Sequence, residues 1–170
     1  MNKNSNYIFN EKIIDPLNHA KMAQVGVDLT IAKIEMILPG LAYFDANSKL
    51  DKDSVKYEEA PYAIMGDGTK RYHLKANTNY AIEFEQGLNQ LKEDEWGLII
   101  QRSSLLRAGC HIVSSIWDPG FFTDIMGTTL FTGNTDVVLP VGCRVAQLLI
   151  FDNEPVNNLY NGTWQGVANH

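Results

Sequence analysis

The strongest constraint on this chain is how often its apolar runs are interrupted. No stretch sustains a long helical period. Short alternating or apolar runs recur instead, each closed by a turn signal. Residues 27–38 (VDLTIAKIEMIL) end at Pro39-Gly40 and read as one strand or two. Gly66-Asp67-Gly68 marks a hairpin between 62–65 and 71–74, and in 79–85 the residues Tyr80, Ile82 and Phe84 share one face. Further runs at 96–101, 110–117, 125–131, 137–139 and 145–151 are separated by turns such as Thr132-Gly133-Asn134 and Pro140-Val141-Gly142. Many short strands with Gly/Pro turns predict an all-β sandwich or barrel with little helix. Asp15 followed by Pro16 predicts a short helix over 15–23, as N-cap and first helical residue. Residues 1–12 read as polar and loose, 45–60 as an exposed charged loop, and 85–95 as a polar crossing over the surface.

At 170 residues the chain suits one domain, expected to span 1–170 with a flexible flap over 160–170. The net charge of −6 argues against a broad nucleic-acid-binding face. No run reaches the length of a membrane span and the first residues lack an apolar leader core, so no membrane partner and a cytoplasmic location are expected. Cys110 and Cys143 have no zinc-like spacing and read as buried, reduced thiols.

Chemistry-bearing residues cluster in 98–120. An apolar strand delivers Arg102, Ser103 and Ser104, a basic turn follows, and a second strand leads to Asp118-Pro119-Gly120. A guanidinium, two hydroxyls and backbone N–H groups can converge on phosphate oxygens. Asp118 is a candidate general base for a water, though a lone Asp before Pro-Gly is also an ordinary turn residue. Gln147, amid Leu and Ile, needs a partner if buried. Strict alternation puts it on the face opposite Arg144. Trp164 and Gln165, between Gly162 and Gly166, suggest an aromatic anchor on a flexible tail able to stack on a nucleobase.

The order of these pieces is specific. GVDL, QRSSLLRAG, WDPGF, RVAQL and YNGTWQG succeed one another as in the homotrimeric dUTPase and dCTP deaminase superfamily, which the chain resembles over nearly its whole length. The resemblance implies a distorted jelly-roll-like β barrel, assembled as a homotrimer with three shared sites, acting on a small nucleotide with Mg²⁺. It implies that Asp28 supports the metal, Arg102, Ser103, Ser104 and Gln147 bind phosphate, and Asp118 holds water and the sugar 3′-hydroxyl. It also implies that Phe121 packs under the deoxyribose, that His111, Ser114 and Ser115 lie with the sugar and base, and that Trp164 and Gln165 close over the ligand.

Arg107, His111, the DPGF motif and the IIDP start at Ile13 look closer to the deaminase branch. Yet deaminases place a proton-shuttling glutamate ten residues past the motif aspartate, where this chain has Thr128, and no Glu occurs between Glu95 and Glu154. A hydroxyl cannot shuttle protons near neutrality. The resemblance therefore implies a dUTP pyrophosphatase releasing dUMP and diphosphate, with attack on the α-phosphorus. A dCTP deaminase or bifunctional enzyme, a dCTP pyrophosphatase, and a non-catalytic nucleotide-binding protein are the alternatives. Departures from the family pattern are Gln101 before the phosphate-motif arginine, and Thr123 and Asp124 after the aromatic. Asp124 would repel phosphate unless it faces away.

Overall fold

The computed structural model describes residues 2–15 and 21–166. From the N-terminus it runs through β1 (Asn2–Lys3), helix α1 (Ser5–Asn10), β2 (Ile14–Asp15), β3 (Lys21–Met22) and β4 (Val27–Ile37). Then follow β5 (Tyr57–Glu59), β6 (Tyr62–Ile64), β7 (Lys70–Leu74), β8 (Asn79–Phe84), β9 (Gly87–Leu88) and β10 (Glu95–Gln101). Helix α2 (Ser103–Arg107) leads to β11 (Cys110–Val113), β12 (Gly127–Thr132), β13 (Val137–Pro140) and β14 (Arg144–Asp152). The expected all-β class is borne out. No helix among the described residues is long and apolar enough to cross a membrane.

Strand β4 is the spine. Its first half pairs with β14 and its second half with β8, both antiparallel. One bulge lies in the β4–β8 pairing between Ile31 and Lys33, and another in the β14–β4 pairing between Arg144 and Ala146. An extra residue bends a strand and raises its twist, so β4 carries the chain from the β10–β14 part of the sheet into the β8–β12–β11 part. The apolar faces of these strands close on one core, with Leu29, Ile31, Ile34, Tyr80, Ile82, Phe84, Ile99, Leu148 and Ile150 all buried. A smaller sheet, β13-β7-β6, includes the Gly66-Asp67-Gly68 hairpin in the expected place.

Four expectations need correction. Residues 5–10 are helical, because Asn4 caps the helix by accepting from Tyr7 N at 3.0 Å and Ile8 is buried beneath it. The helix expected over 15–23 does not begin at Asp15, which is in β2 paired with β9, nor reach Lys21–Met22, which pair with β4. Its middle, 16–20, lies outside the described residues. The polar run 85–95 crosses the surface only in part: Asn89, Gln90, Lys92 and Glu93 are exposed, but Gln86 is 0% and Glu95 1% exposed. Gln86 exchanges hydrogen bonds with Thr30, accepting from its N at 3.0 Å and donating to its Oγ1 at 2.7 Å, and Glu95 accepts from the Tyr7 hydroxyl. Hydrogen bonds of this kind offset the cost of taking polar groups out of water. Finally, 45–60 is more than a loop. Lys52–Ser54 form a 3₁₀ turn capped by Asp51, and β5 pairs with the end of β4.

Candidate active site

The functional candidates fall into two groups. The first is a charged cradle centred on Asp28, which is 3% exposed near the start of β4. Its Oδ1 accepts from Gln147 Nε2 at 3.0 Å and pairs with Arg102 Nε at 3.4 Å, while Oδ2 accepts from Arg144 Nη1 at 3.1 Å. Arg102 is oriented further by donating from Nη1 to Arg144 O, at 3.3 Å. Two guanidiniums against one carboxylate leave the cradle with net positive charge. Their side chains stay about a third exposed, at 32% for Arg102 and 37% for Arg144, and so remain accessible to an anion.

Arg144 was missing from the sequence-derived site. Alternation put it opposite Gln147, but the bulge between Arg144 and Ala146 resets the register, so that both reach Asp28. Arg102 occupies the N-cap position of α2 and offers no side-chain cap. Ser103 and Ser104 form the exposed first turn beside it, and buried Leu105 pins the helix to the body.

The second group lines a cleft of about 320 Å³ between β11, β12 and the segment after Val113. Asp118, Phe121, Ser115, Thr128 and Trp164 all border it. Phe121 is buried between Trp117, at 5.6 Å between ring centroids, and Tyr160, edge-on at 5.3 Å. These packed rings give the cleft a rigid apolar floor. Asp118 is exposed between buried Trp117 and Pro119. Thr128 Oγ1 donates to Val113 O at 2.7 Å, so its proton is already committed.

The tail docks on the same loop. Tyr160 N donates to Pro119 O, Gln165 Nε2 to Gly120 O and Gly166 N to Phe122 O, at 2.8, 2.9 and 2.9 Å. Gly120 has φ +87°, and a Cβ there would lie 2.7 Å from Leu159 Cβ, so only glycine allows the tail this close.

Three candidates lie elsewhere. His111 is exposed on β11, Ser114 turns its hydroxyl to Ser115 O at 2.7 Å, and Gln165 anchors the tail. None of the three lines the cleft. Strand alternation accounts for His111: in β11, Cys110 and Ile112 face the core and His111 faces out. Asp124 borders a separate cavity with Asp15 and Gly87 instead of the cradle. Ile37, Tyr57 and Tyr160 also line the cleft, and no local motif marked the first two.

The cradle and the cleft are apart within one chain. No cradle residue borders the cleft. Gly97 is bridged to Trp117 beside the cleft, whereas Arg102 follows the far end of β10, against Arg144 and Asp28.

No family model matches the chain. Over 153 residues it is 28% identical to a protein of Halobacterium salinarum named probable deoxyuridine 5′-triphosphate nucleotidohydrolase, covering 89% of this chain and 87% of that one. It is 29% identical over 143 residues to a protein of the same name from Aeropyrum pernix, covering 83% and 82%. In fold it is similar to a 2′-deoxycytidine 5′-triphosphate deaminase of Agrobacterium tumefaciens. The TM-score is 0.61 at 12% identity, over 85% of this chain and 44% of that protein.

Proposed function

We propose that this chain, which belongs to the dUTPase and dCTP deaminase superfamily, hydrolyses dUTP to dUMP and diphosphate. The observation that favours hydrolysis over deamination is the pairing of Asp118 and Thr128 on one cleft. A base for water is present, and the position of the deaminase glutamate holds a hydroxyl already donating to Val113 O.

In this reading the deoxyribose lies on Phe121, and the base extends toward Ser115 and Thr128. Arg102, Ser103, Ser104 and Gln147, now joined by Arg144, donate to phosphate oxygens. Asp118 orients a water and accepts its proton as the water oxygen bonds to the α-phosphorus. The bond from that phosphorus to the bridging oxygen breaks, and diphosphate leaves with the electron pair.

Among the described residues no cluster of three or more side chains could hold a metal ion. Mg²⁺ keeps its waters and rides on a triphosphate, so it needs at most one or two carboxylates from the protein. When bound it neutralises charge on the phosphates. Asp28 would reach it only through water, since three donors already occupy its carboxylate.

The attacked phosphorus must be within reach of both the base and the phosphate donors. No cradle residue borders the cleft of its own chain, which favours a site completed by the cradle of a neighbouring copy in a trimer. The test is diphosphate release from dUTP with Mg²⁺, comparing the parent with Asp118→Asn. Turnover should fall by a factor of about 10²–10⁴, typical for loss of a general base, with nucleotide binding retained. Unaltered turnover would remove Asp118 from the role.

A further inference from the structure

We infer that Lys52 is a positioning residue that latches the C-terminal segment over the cleft, and that this is the task of the 45–60 excursion. This rests on the nucleotide reading of the cleft. Lys52 Nζ lies 4.0 Å from the centroid of the Trp164 ring and donates to Thr163 O at 3.4 Å. An ammonium over an indole face is attracted by the ring quadrupole, so one side chain grips both the aromatic anchor and its backbone.

The grip is built from a fixed support. Asp51 caps the 3₁₀ turn that carries Lys52, accepting from Asp53 N at 3.0 Å. The excursion is closed at its base where Leu38 N donates to Lys56 O at 2.9 Å, and the next residue, Tyr57, is in the cleft wall. The tail's other hydrogen bonds to the body, from Tyr160, Gln165 and Gly166, go to the loop at Pro119–Phe122, and Trp164 also packs against the core. Those bonds attach the tail along one side. Lys52 adds a separate hold on Trp164 from the turn of the 45–60 excursion, so removing it leaves the segment attached but Trp164 held less firmly over the cleft.

A latch of this kind acts on binding more than on chemistry. In Lys52→Met the KM for dUTP should rise about threefold to tenfold, the range expected for one partly exposed cation–π contact, with the loss carried in KM and not in kcat. Lys52→Arg should restore it, because a guanidinium makes the same contact. Lys52→Met added to Trp164→Leu should raise KM no further than Trp164→Leu alone. Amide hydrogen exchange of the nucleotide-free protein reads the latch without activity: residues 160–166 should exchange faster in Lys52→Met and at the parent rate in Lys52→Arg. A KM within twofold of the parent, or exchange at 160–166 unchanged by Lys52→Met, overturns the inference. If the parent itself releases no diphosphate, it is the dUTP reading that fails, and the latch is then judged by exchange alone.

Discussion

Replacing Asp28 by Asn keeps the shape of the side chain and removes its charge. The structure makes the cost calculable. One carboxylate oxygen faces Gln147 Nε2 and Arg102 Nε, and the other faces Arg144 Nη1. Whichever way the new amide is turned, its NH₂ points at an N–H donor. At least one charge-assisted hydrogen bond is lost, worth about 1.5–3 kcal/mol, and a donor is left facing a donor. Breaking a fully buried ion pair costs about 3–5 kcal/mol, but both guanidiniums are about a third exposed and water takes up part of that loss. The net expectation is a destabilisation of about 2 kcal/mol, which for a domain of this size lowers Tm by roughly 4–8 °C. Urea unfolding should show a lower midpoint with the slope unchanged, and the KM for dUTP should rise because Arg102 and Gln147 lose their common support. A variant within about 0.3 kcal/mol of the parent, inside the ordinary range for surface substitutions, would refute Asp28 as the organiser of the cradle.

Three further outcomes follow from other parts of the structure. Gly120→Ala forces a side chain into a left-handed backbone conformation and against Leu159. It should cost about 1–2 kcal/mol and expose residues 159–166 to limited proteolysis, with parent-like cleavage counting against the close approach. Burial raises the Cys110 thiol, so mass spectrometry should find it unalkylated in the native protein near neutral pH and modified once unfolded; rapid native labelling would contradict its burial. Lys70 foremost, then Tyr72, holds the Glu59 carboxyl below its usual value. A depressed carboxyl stabilises the fold above its unfolded value and loses that contribution as pH falls through the lower folded one. Stability measured from pH 5 downward should therefore fall less steeply in Glu59→Gln, and an identical slope would show that the pair contributes nothing.

Much of the fold could be read locally. The alternation at 79–84 and the Gly66-Asp67-Gly68 hairpin depend on neighbours in sequence, and both stand as expected. Asp118, Phe121 and Thr128 could be placed together by motif order, and all three border one cleft. What escaped depends on pairing between distant segments. The bulge that turns Arg144 toward Asp28 is a property of two strands in register, and no pattern within 144–152 reports it. Gln86 and Glu95 read as surface residues because their partners, Thr30 and Tyr7, are far away in the chain. Lys52 looked like one charge in a charged loop, and only the folded tail brings Trp164 to it. His111 was legible only through motif likeness; strand alternation turns its ring outward, and it does not border the cleft of its own chain.

The central claim is that a deaminase-like framework carrying Thr128 in place of a carboxylate performs hydrolysis alone. Product analysis with dUTP and dCTP, each with Mg²⁺, tests it directly. The account predicts dUMP and diphosphate from dUTP and no ammonia from dCTP. Ammonia released from dCTP, or dUTP recovered intact, would contradict it.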